Sequence, residues 1–157
     1  MTSPDDRRHA ILAETVESIN GDPVFVLEIG SGWGKSAGAF TQDPRVHLVT
    51  IDRKHDLPEF TDRVGNQHPR IARITALSHK ILPLFREEAF DLIFIDGDHG
   101  ASGVRYDIFA AIRLIKPYGI VLIDEVDHPD YPWTRLICEE LGSVELLGDH
   151  LARLYAR

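Results

Sequence analysis

Short apolar runs that alternate with helix-like segments are the feature that most constrains the fold of this chain. Five runs rich in Val, Ile, Leu and Phe are typical of strands covered on both faces; they occupy residues 24–29, 46–51, 71–75, 91–95 and 120–123. Segments with helical periodicity precede and separate them, at residues 4–19, 34–40, 57–64, 80–88, 102–115 and 133–141. Two further strands, 144–147 and 151–155, follow each other without a helix. The pattern predicts an α/β fold with a mostly parallel, seven-stranded sheet, helices on both faces and an antiparallel edge.

Length and charge narrow the classes of function. The 157 residues suit one domain, with an N-terminal helix in residues 1–22 and a core in residues 23–157. Lys and Arg number 17 against 25 Asp and Glu, and the net charge of −8 disfavours a nucleic acid partner, because phosphate binding depends on basic side chains. We expect a cytoplasmic protein, since no run resembles a signal peptide or a membrane span. The lone Cys138 excludes an internal disulfide and a cysteine-based zinc site.

A glycine-rich turn follows the first predicted strand, with the sequence EIGSGWGKS at residues 28–36. Alternating glycines let the backbone bend tightly and approach a ligand without Cβ atoms in the way. A dinucleotide fingerprint requires glycine at position 35, where Lys35 stands. A phosphate-binding P-loop matches residues 34–36 but requires glycine at position 29, where Ile29 stands. The third interpretation is an acid followed by three alternating glycines, and the fourth is a plain tight turn.

Polar side chains follow the second and third predicted strands. Asp52 ends the second strand, where its carboxylate can accept hydrogen bonds from both hydroxyls of a ribose or can cap the next helix. The dinucleotide and acid–glycine interpretations both require such a residue, whereas the P-loop does not. Ala76, Leu77 and Ser78 follow the third strand, and of these only the serine has a polar side chain.

Acidic residues are concentrated after the fourth and fifth predicted strands. The segments DGDH at residues 96–99 and DEVDH at residues 124–128 bring five carboxylates and two histidines to neighbouring strand ends. Like charges so close together repel one another, so a cation is expected among them. Oxygen ligands without cysteine favour Mg²⁺, Mn²⁺ or Ca²⁺. The alternative is that these segments are solvated acidic loops.

Together, the EIGSGWG turn, Asp52, the FIDGDH segment at residues 94–99 and the Asp124-Glu125 pair resemble class I S-adenosylmethionine-dependent methyltransferases. The nearer likeness, over residues 24–127, is to a small-domain group of metal-dependent O-methyltransferase-like proteins with the FIDGDH signature. The resemblance implies a Rossmann-like three-layer α/β sandwich that binds S-adenosylmethionine. The cofactor contacts that it implies are Glu28, Gly30, Ser31, Gly32, Gly34, Asp52, Arg53, Leu77, Ser78 and Asp96.

The same resemblance implies a mechanism and a function. Asp96, Asp124 and Glu125 would hold Mg²⁺ or another divalent cation. His99 or His128 would remove the proton of the acceptor hydroxyl, because an imidazole titrates near neutral pH. The expected function is methyl transfer to a hydroxyl group of a small molecule.

Two features depart from the resembled family. Ala76 and Leu77 stand where a Gly-Asp pair often flanks the adenine. The chain is also short, which leaves an acceptor site that is open, absent or completed by a second copy in a homo-oligomer. The alternative functions are a non-catalytic module that binds S-adenosylmethionine or a nucleotide, and a P-loop-like NTPase.

Overall fold

A seven-stranded sheet forms the centre of the computed structural model, which describes residues 4–54, 58–64 and 69–156. The strands are β1 (Val24–Ile29), β2 (Val46–Asp52), β3 (Ile71–Thr75), β4 (Phe90–Ile95), β5 (Ile115–Ile123), β6 (Gly142–Gly148) and β7 (Leu151–Ala156). Their order across the sheet is β3-β2-β1-β4-β5-β7-β6. Strands β1 to β5 are parallel, and β7 is antiparallel to both β5 and β6. The predicted mostly parallel α/β sheet with an antiparallel edge is confirmed.

Helices cover both faces of the sheet and create two cores. They are α1 (Pro4–Glu17), α2 (Lys35–Phe40), α3 (Pro58–Val64), α4 (Ser78–Ile81), α5 (Ala101–Leu114) and α6 (Pro132–Leu141). Successive residues of β1 serve opposite faces: Val26 belongs to the core with α1, α2 and α3, and Leu27 to the core with α5 and α6. Both are fully buried, which explains the continuous apolar run. None of the described helices is long and apolar enough to cross a membrane.

The α-helix predicted over residues 80–88 is wrong beyond Ile81. The α-helix α4 ends at Ile81, and a short 3-10 turn over Leu82–Leu84 follows it. Pro83 causes this change, because proline has no backbone N–H with which to continue the α-helical hydrogen bonds.

Strand β5 begins at Ile115, whereas the sequence predicts its start at residue 120. Ile115 pairs with Phe90, but the register then shifts before Leu92 pairs with Ile120. The four residues 116–119 therefore bulge from the strand and do not simply end the preceding helix.

The strand order reverses between β1 and β4, and ligands of such sheets bind at the carboxyl ends of the strands beside this point. Gly30 lies there, and its N–H donates to the Ile51 carbonyl oxygen at 2.8 Å. A Cβ at Gly30 would lie 2.1 Å from the carbonyl oxygen of Asp96, and the φ angle of Gly30 is +88°. Only glycine is compatible with both constraints, so the close approach of the two strand ends itself requires this glycine.

Candidate functional site

Two cavities open at this edge of the sheet, beside the glycine turn. The strand-end cavity has a volume of about 750 Å³ and is lined by residues that follow β1 to β4, together with parts of α5 and α6. The helix cavity has a volume of about 780 Å³ and is lined by α1, α2 and the glycine turn. Gly32 and Asp96 line both cavities, so the two spaces meet beside these residues.

Most of the residues predicted to contact a cofactor line these cavities. Those in the strand-end cavity are Gly30, Gly32, Asp52, Arg53, Leu77, Ser78 and Asp96. Ser31 lines the helix cavity. Gly34 is buried, and a Cβ there would lie 2.8 Å from the ring of Phe60, so this glycine allows α2 to pack on α3. The cofactor contacts themselves stay a prediction.

Asp52 holds the glycine turn in place. Its Oδ2 accepts hydrogen bonds from the backbone N–H groups of Ser31 and Gly32, each at 3.0 Å. Its Oδ1 accepts a further bond from the N–H of Lys54, also at 3.0 Å. Oδ2 also accepts a longer hydrogen bond from the Ser31 hydroxyl, at 3.4 Å. Each carboxylate oxygen has about two acceptor sites, so Asp52 orients the turn through Oδ2, and Oδ1, which has one donor, keeps an acceptor for a ligand hydroxyl.

Glu28 of β1 connects α2 and β2 through its buried carboxyl group. The side chain is fully buried, and its carboxyl oxygens accept hydrogen bonds from the hydroxyl groups of Ser36 and Thr50, the latter at 2.6 Å. Burial raises the pKa of Glu28 to about 7, although the two hydroxyl donors lower it. Its described partners belong to the protein, and a contact with a ligand stays a prediction.

Asp107 of α5 is a site residue that the strand-end pattern misses. Its side chain is 1% exposed, it lines the strand-end cavity, and neither carboxyl oxygen has a hydrogen-bond partner among the described residues. Burial raises the pKa of Asp107 to about 6, and the nearby Ser78 hydroxyl partly offsets this effect. The signal in the sequence is an acid among the apolar positions of a helix, since Val104, Ile108 and Ala111 of α5 are buried in the core.

The two predicted bases occupy different positions. His99 lines the strand-end cavity and stacks on the ring of Tyr131 at a centroid distance of 4.8 Å. Its Nε2 lies 3.9 Å from Oδ1 of Asp96, beyond hydrogen-bond reach. His128 packs against Tyr131 at 5.3 Å and against His150 at 4.8 Å, and the described cavity lining does not include it. The structure therefore places His99 alone on the wall of the strand-end cavity.

Arg8 of α1 joins two of the three predicted metal ligands. Its Nη2 donates a hydrogen bond to Oδ2 of Asp96 at 3.0 Å and a second one to Oδ2 of Asp124. Burial raises the pKa of Asp96 well above its usual value and the neighbouring Asp124 raises it further, whereas Arg8 lowers it. The cation expected among these acids is therefore part of the chain itself.

The described residues do not fit the predicted Mg²⁺ site. They contain no group of three or more His, Cys, Asp or Glu side chains that could hold a metal ion. Asp96 and Asp124 share the guanidinium of Arg8, whereas Oε2 of Glu125 lies 3.9 Å from Nδ1 of His128. Oδ1 of Asp124 and Oε2 of Glu125 are buried without hydrogen-bond partners among the described residues, so two acceptor atoms remain open at this edge. The magnesium prediction is not supported.

Comparisons with known proteins agree on the type of domain. Residues 27–126 match the model of a protein family described as a methyltransferase domain. An uncharacterised protein, R132, of Acanthamoeba polyphaga mimivirus is 23% identical over 145 residues, which is 85% of this chain and 65% of the viral protein. The chain thus spans slightly less than two thirds of that relative.

Two solved structures have the same fold. An O-methyltransferase from Bacillus cereus, in complex with S-adenosylhomocysteine, has a TM-score of 0.70 at 17% identity, over 100% of this chain and 83% of that one. CalS11, a TDP-rhamnose 3'-O-methyltransferase of calicheamicin biosynthesis, has a TM-score of 0.70 at 16% identity, over 94% of this chain and 76% of that one. At this level of identity the likeness shows the fold, which is the Rossmann-like methyltransferase fold.

Glu28 makes the stability of the protein depend on pH. Its carboxyl group stays protonated in the folded chain up to a pH of about 7, whereas it ionises near its ordinary pKa of 4.5 in the unfolded chain. The free energy of unfolding should therefore fall between pH 5 and pH 8, and Glu28 should account for up to about 3 kcal/mol of this fall.

Urea unfolding at pH 5, 6, 7 and 8 measures this effect. Glu28→Gln should have near-native stability at pH 5 and a clearly flatter dependence on pH, because glutamine is neutral throughout. Glu14→Gln, on the exposed side of α1, is the control and should leave the native dependence unchanged. Parallel curves for the native protein and Glu28→Gln would contradict this account.

Proposed function

Because this chain belongs to the methyltransferase-domain family and has the class I S-adenosylmethionine-dependent fold, we propose that it transfers a methyl group to a hydroxyl of a small molecule. The observation that carries the proposal is the strand-end cavity, in which the glycine turn and Asp52 lie at the point where the strand order reverses. The family membership sets aside the dinucleotide and P-loop interpretations of the turn. The narrower likeness to the group with the FIDGDH signature stays a prediction.

The residues of the strand-end cavity suit S-adenosylmethionine. Gly30 and Gly32 offer a backbone surface for the methionine part, and the free acceptor capacity of Asp52 suits the ribose hydroxyls. Leu77, which is 46% exposed, offers an apolar surface for the adenine. When bound, S-adenosylmethionine supplies a methyl group on a positively charged sulfur atom.

Asp107 is suited to recognise the adenine. Its unpartnered carboxyl oxygens line the same cavity as Leu77 and Ser78, and a buried acceptor without a donor is costly. The exocyclic amino group of adenine can supply the missing donor. Asp107 thus provides, from α5, the acid that Ala76 and Leu77 do not provide after β3.

The helix cavity suits the acceptor molecule. Its wall includes Trp33, whose side chain is 59% exposed, and the polar side chains of His9, Gln42 and Arg63. The helix cavity meets the strand-end cavity at Asp96, next to His99. His99 therefore suits the role of proton acceptor. As the acceptor oxygen bonds to the methyl carbon, the bond from that carbon to sulfur would break, S-adenosylhomocysteine would leave, and His99 would take the hydroxyl proton. The role predicted for His128 is the weaker one.

A second candidate function is a module that binds S-adenosylmethionine without turnover. The exposure of Trp33 favours it, because among the described residues the helix cavity is lined, beside the glycine turn, only by α1, α2 with the following Gln42, Arg63 of α3 and Asp96. The two functions differ in whether any acceptor is methylated, and they share the same cofactor site.

Methyl transfer from radiolabelled S-adenosylmethionine to a panel of catechols, phenols and nucleotide sugars separates the two functions. We expect turnover with the native protein, and a loss of 100-fold or more in His99→Gln, because a positioned base contributes at least that much. His128→Gln is the matched control and should lose less than tenfold. Affinity for S-adenosylhomocysteine should stay within twofold in both variants. Micromolar binding with no turnover across the panel would favour the module, and no binding would contradict both functions.

The role of Asp107 is tested by two ligands that differ at one position of the base. The native protein should bind S-adenosylhomocysteine at least tenfold more tightly than S-inosylhomocysteine, which carries a carbonyl oxygen in place of the amino group. Asp107→Asn should reduce that preference to less than threefold, because the asparagine amide can donate to the carbonyl oxygen. Asp62→Asn, an exposed position on α3, is the control for calorimetry. An unchanged preference in Asp107→Asn would contradict the assignment.

A further inference from the structure

Arg8 occupies the position at which the resembled enzymes are expected to hold a metal ion. We infer that its guanidinium is the permanent counter-ion of Asp96 and Asp124, so that this domain assembles its site without a divalent cation. The part of this inference that concerns the cofactor rests on the proposed function, whereas the part that concerns the metal does not.

The contacts of Arg8 are those of a shared cation. One nitrogen, Nη2, donates to a carboxylate at the end of β4 and to a second carboxylate at the end of β5. A backbone hydrogen bond also joins the ends of β4 and β5, since the N–H of Asp124 donates to the carbonyl oxygen of Ile95 at 2.9 Å. The side chain of Asp124 is only 2% exposed, so little water reaches this carboxylate and an internal cation matters more there than at the surface.

Packing of α1 places Arg8 at this position. Leu12 and Val16 are buried in the core shared with α2, and Arg8 precedes Leu12 by one helical turn on the same face. The guanidinium carbon also lies 5.8 Å from the centroid of the buried Phe94 ring. The fold of α1 therefore delivers the guanidinium to the carboxylates, and a metal ion could reach both carboxylates only by displacing it.

Two positive charges can offset the Asp96–Asp124 pair without a metal. Asp96 and Asp124 carry two potential negative charges, and Arg8 supplies one positive charge between them. S-adenosylmethionine would bring a second positive charge, on its sulfur atom, to the cavity that Asp96 lines. Mg²⁺ also prefers an octahedral set of oxygen ligands, whereas Oε2 of the third predicted ligand, Glu125, lies 3.9 Å from Nδ1 of His128.

Arg8→Met removes the cation and keeps a long apolar side chain, and Arg7→Met is the matched control. Arg7 is the neighbouring residue of α1, its side chain is 58% exposed, and it pairs with Asp149 in the turn between β6 and β7. In a chelator, Arg8→Met should melt about 5 °C below the native protein, because two carboxylates are left without a cation. Arg7→Met should melt within about 1 °C of the native protein, because exposed ion pairs contribute little.

The decisive comparison is between melting temperatures with and without Mn²⁺, and between cofactor affinities with and without Mg²⁺. Millimolar Mn²⁺ should restore at least half of the melting temperature lost in Arg8→Met, because the freed carboxylates can then bind the ion. The same ion should change the melting temperatures of the native protein and of Arg7→Met by less than about 1 °C. Calorimetry on the native protein should give the same affinity for S-adenosylhomocysteine, within twofold, in chelator and in Mg²⁺.

Several results would overturn the inference. They are a native protein that gains melting temperature from Mn²⁺, a tenfold gain of cofactor affinity in Mg²⁺, and an Arg8→Met variant that melts like the native protein in chelator. If Arg8→Met does not fold, Arg8→Lys replaces it, because lysine keeps one positive charge, and this variant should fold without a response to Mn²⁺. The melting and calorimetric experiments on the native protein test the inference in either case. Absence of cofactor binding under both conditions contradicts the proposed function only, because the melting experiments test Arg8 separately.

Discussion

Carboxylates that lie at the ends of neighbouring parallel strands must each receive a donor or a cation, and this requirement shapes the edge of the sheet. Asp52 receives the backbone N–H groups of the glycine turn. Glu28 receives two hydroxyl groups. Asp96 and Asp124 receive the guanidinium of Arg8. In each case at least one donor lies on a helix or a turn. The interaction that stabilises the acid therefore also attaches that helix or turn to the sheet.

Asp107 is the informative exception to this pattern. It is more deeply buried than Asp52 and Asp96, yet neither oxygen has a hydrogen-bond partner among the described residues. An uncompensated buried carboxyl group costs stability, and proteins tolerate such costs where a ligand provides the missing group. Its position on the wall of the strand-end cavity is the reason for our proposal that it binds the adenine of the cofactor.

The sheet could be predicted from the sequence because its strands are covered on both faces and read as apolar runs of regular spacing. Residues 80–88 were mispredicted because their apolar spacing suits a helix, although Pro83 removes a hydrogen bond that the helix needs. The start of β5 was missed because a bulge over residues 116–119 places polar residues and a proline inside a strand. Both predictions are wrong because they rest on the pattern of side-chain polarity, which does not show the missing N–H of a proline or a bulge in the backbone.

The candidate site could be predicted only where its residues follow a strand directly. The glycine turn, Asp52 and Asp96 have such positions, and the parallel sheet brings them to one edge. Arg8 lies 88 residues from Asp96 and 116 from Asp124 in the sequence, and only the packing of α1 brings it to them. Without that contact, the same acids predict a metal ion.

A crystal structure with S-adenosylhomocysteine, grown in the presence of Mn²⁺, tests the account most directly. The account predicts the ligand in the strand-end cavity, its adenine beside Asp107, and the guanidinium of Arg8 between Asp96 and Asp124 with no anomalous signal from manganese there. An anomalous peak between these two carboxylates, with Arg8 displaced, would contradict it.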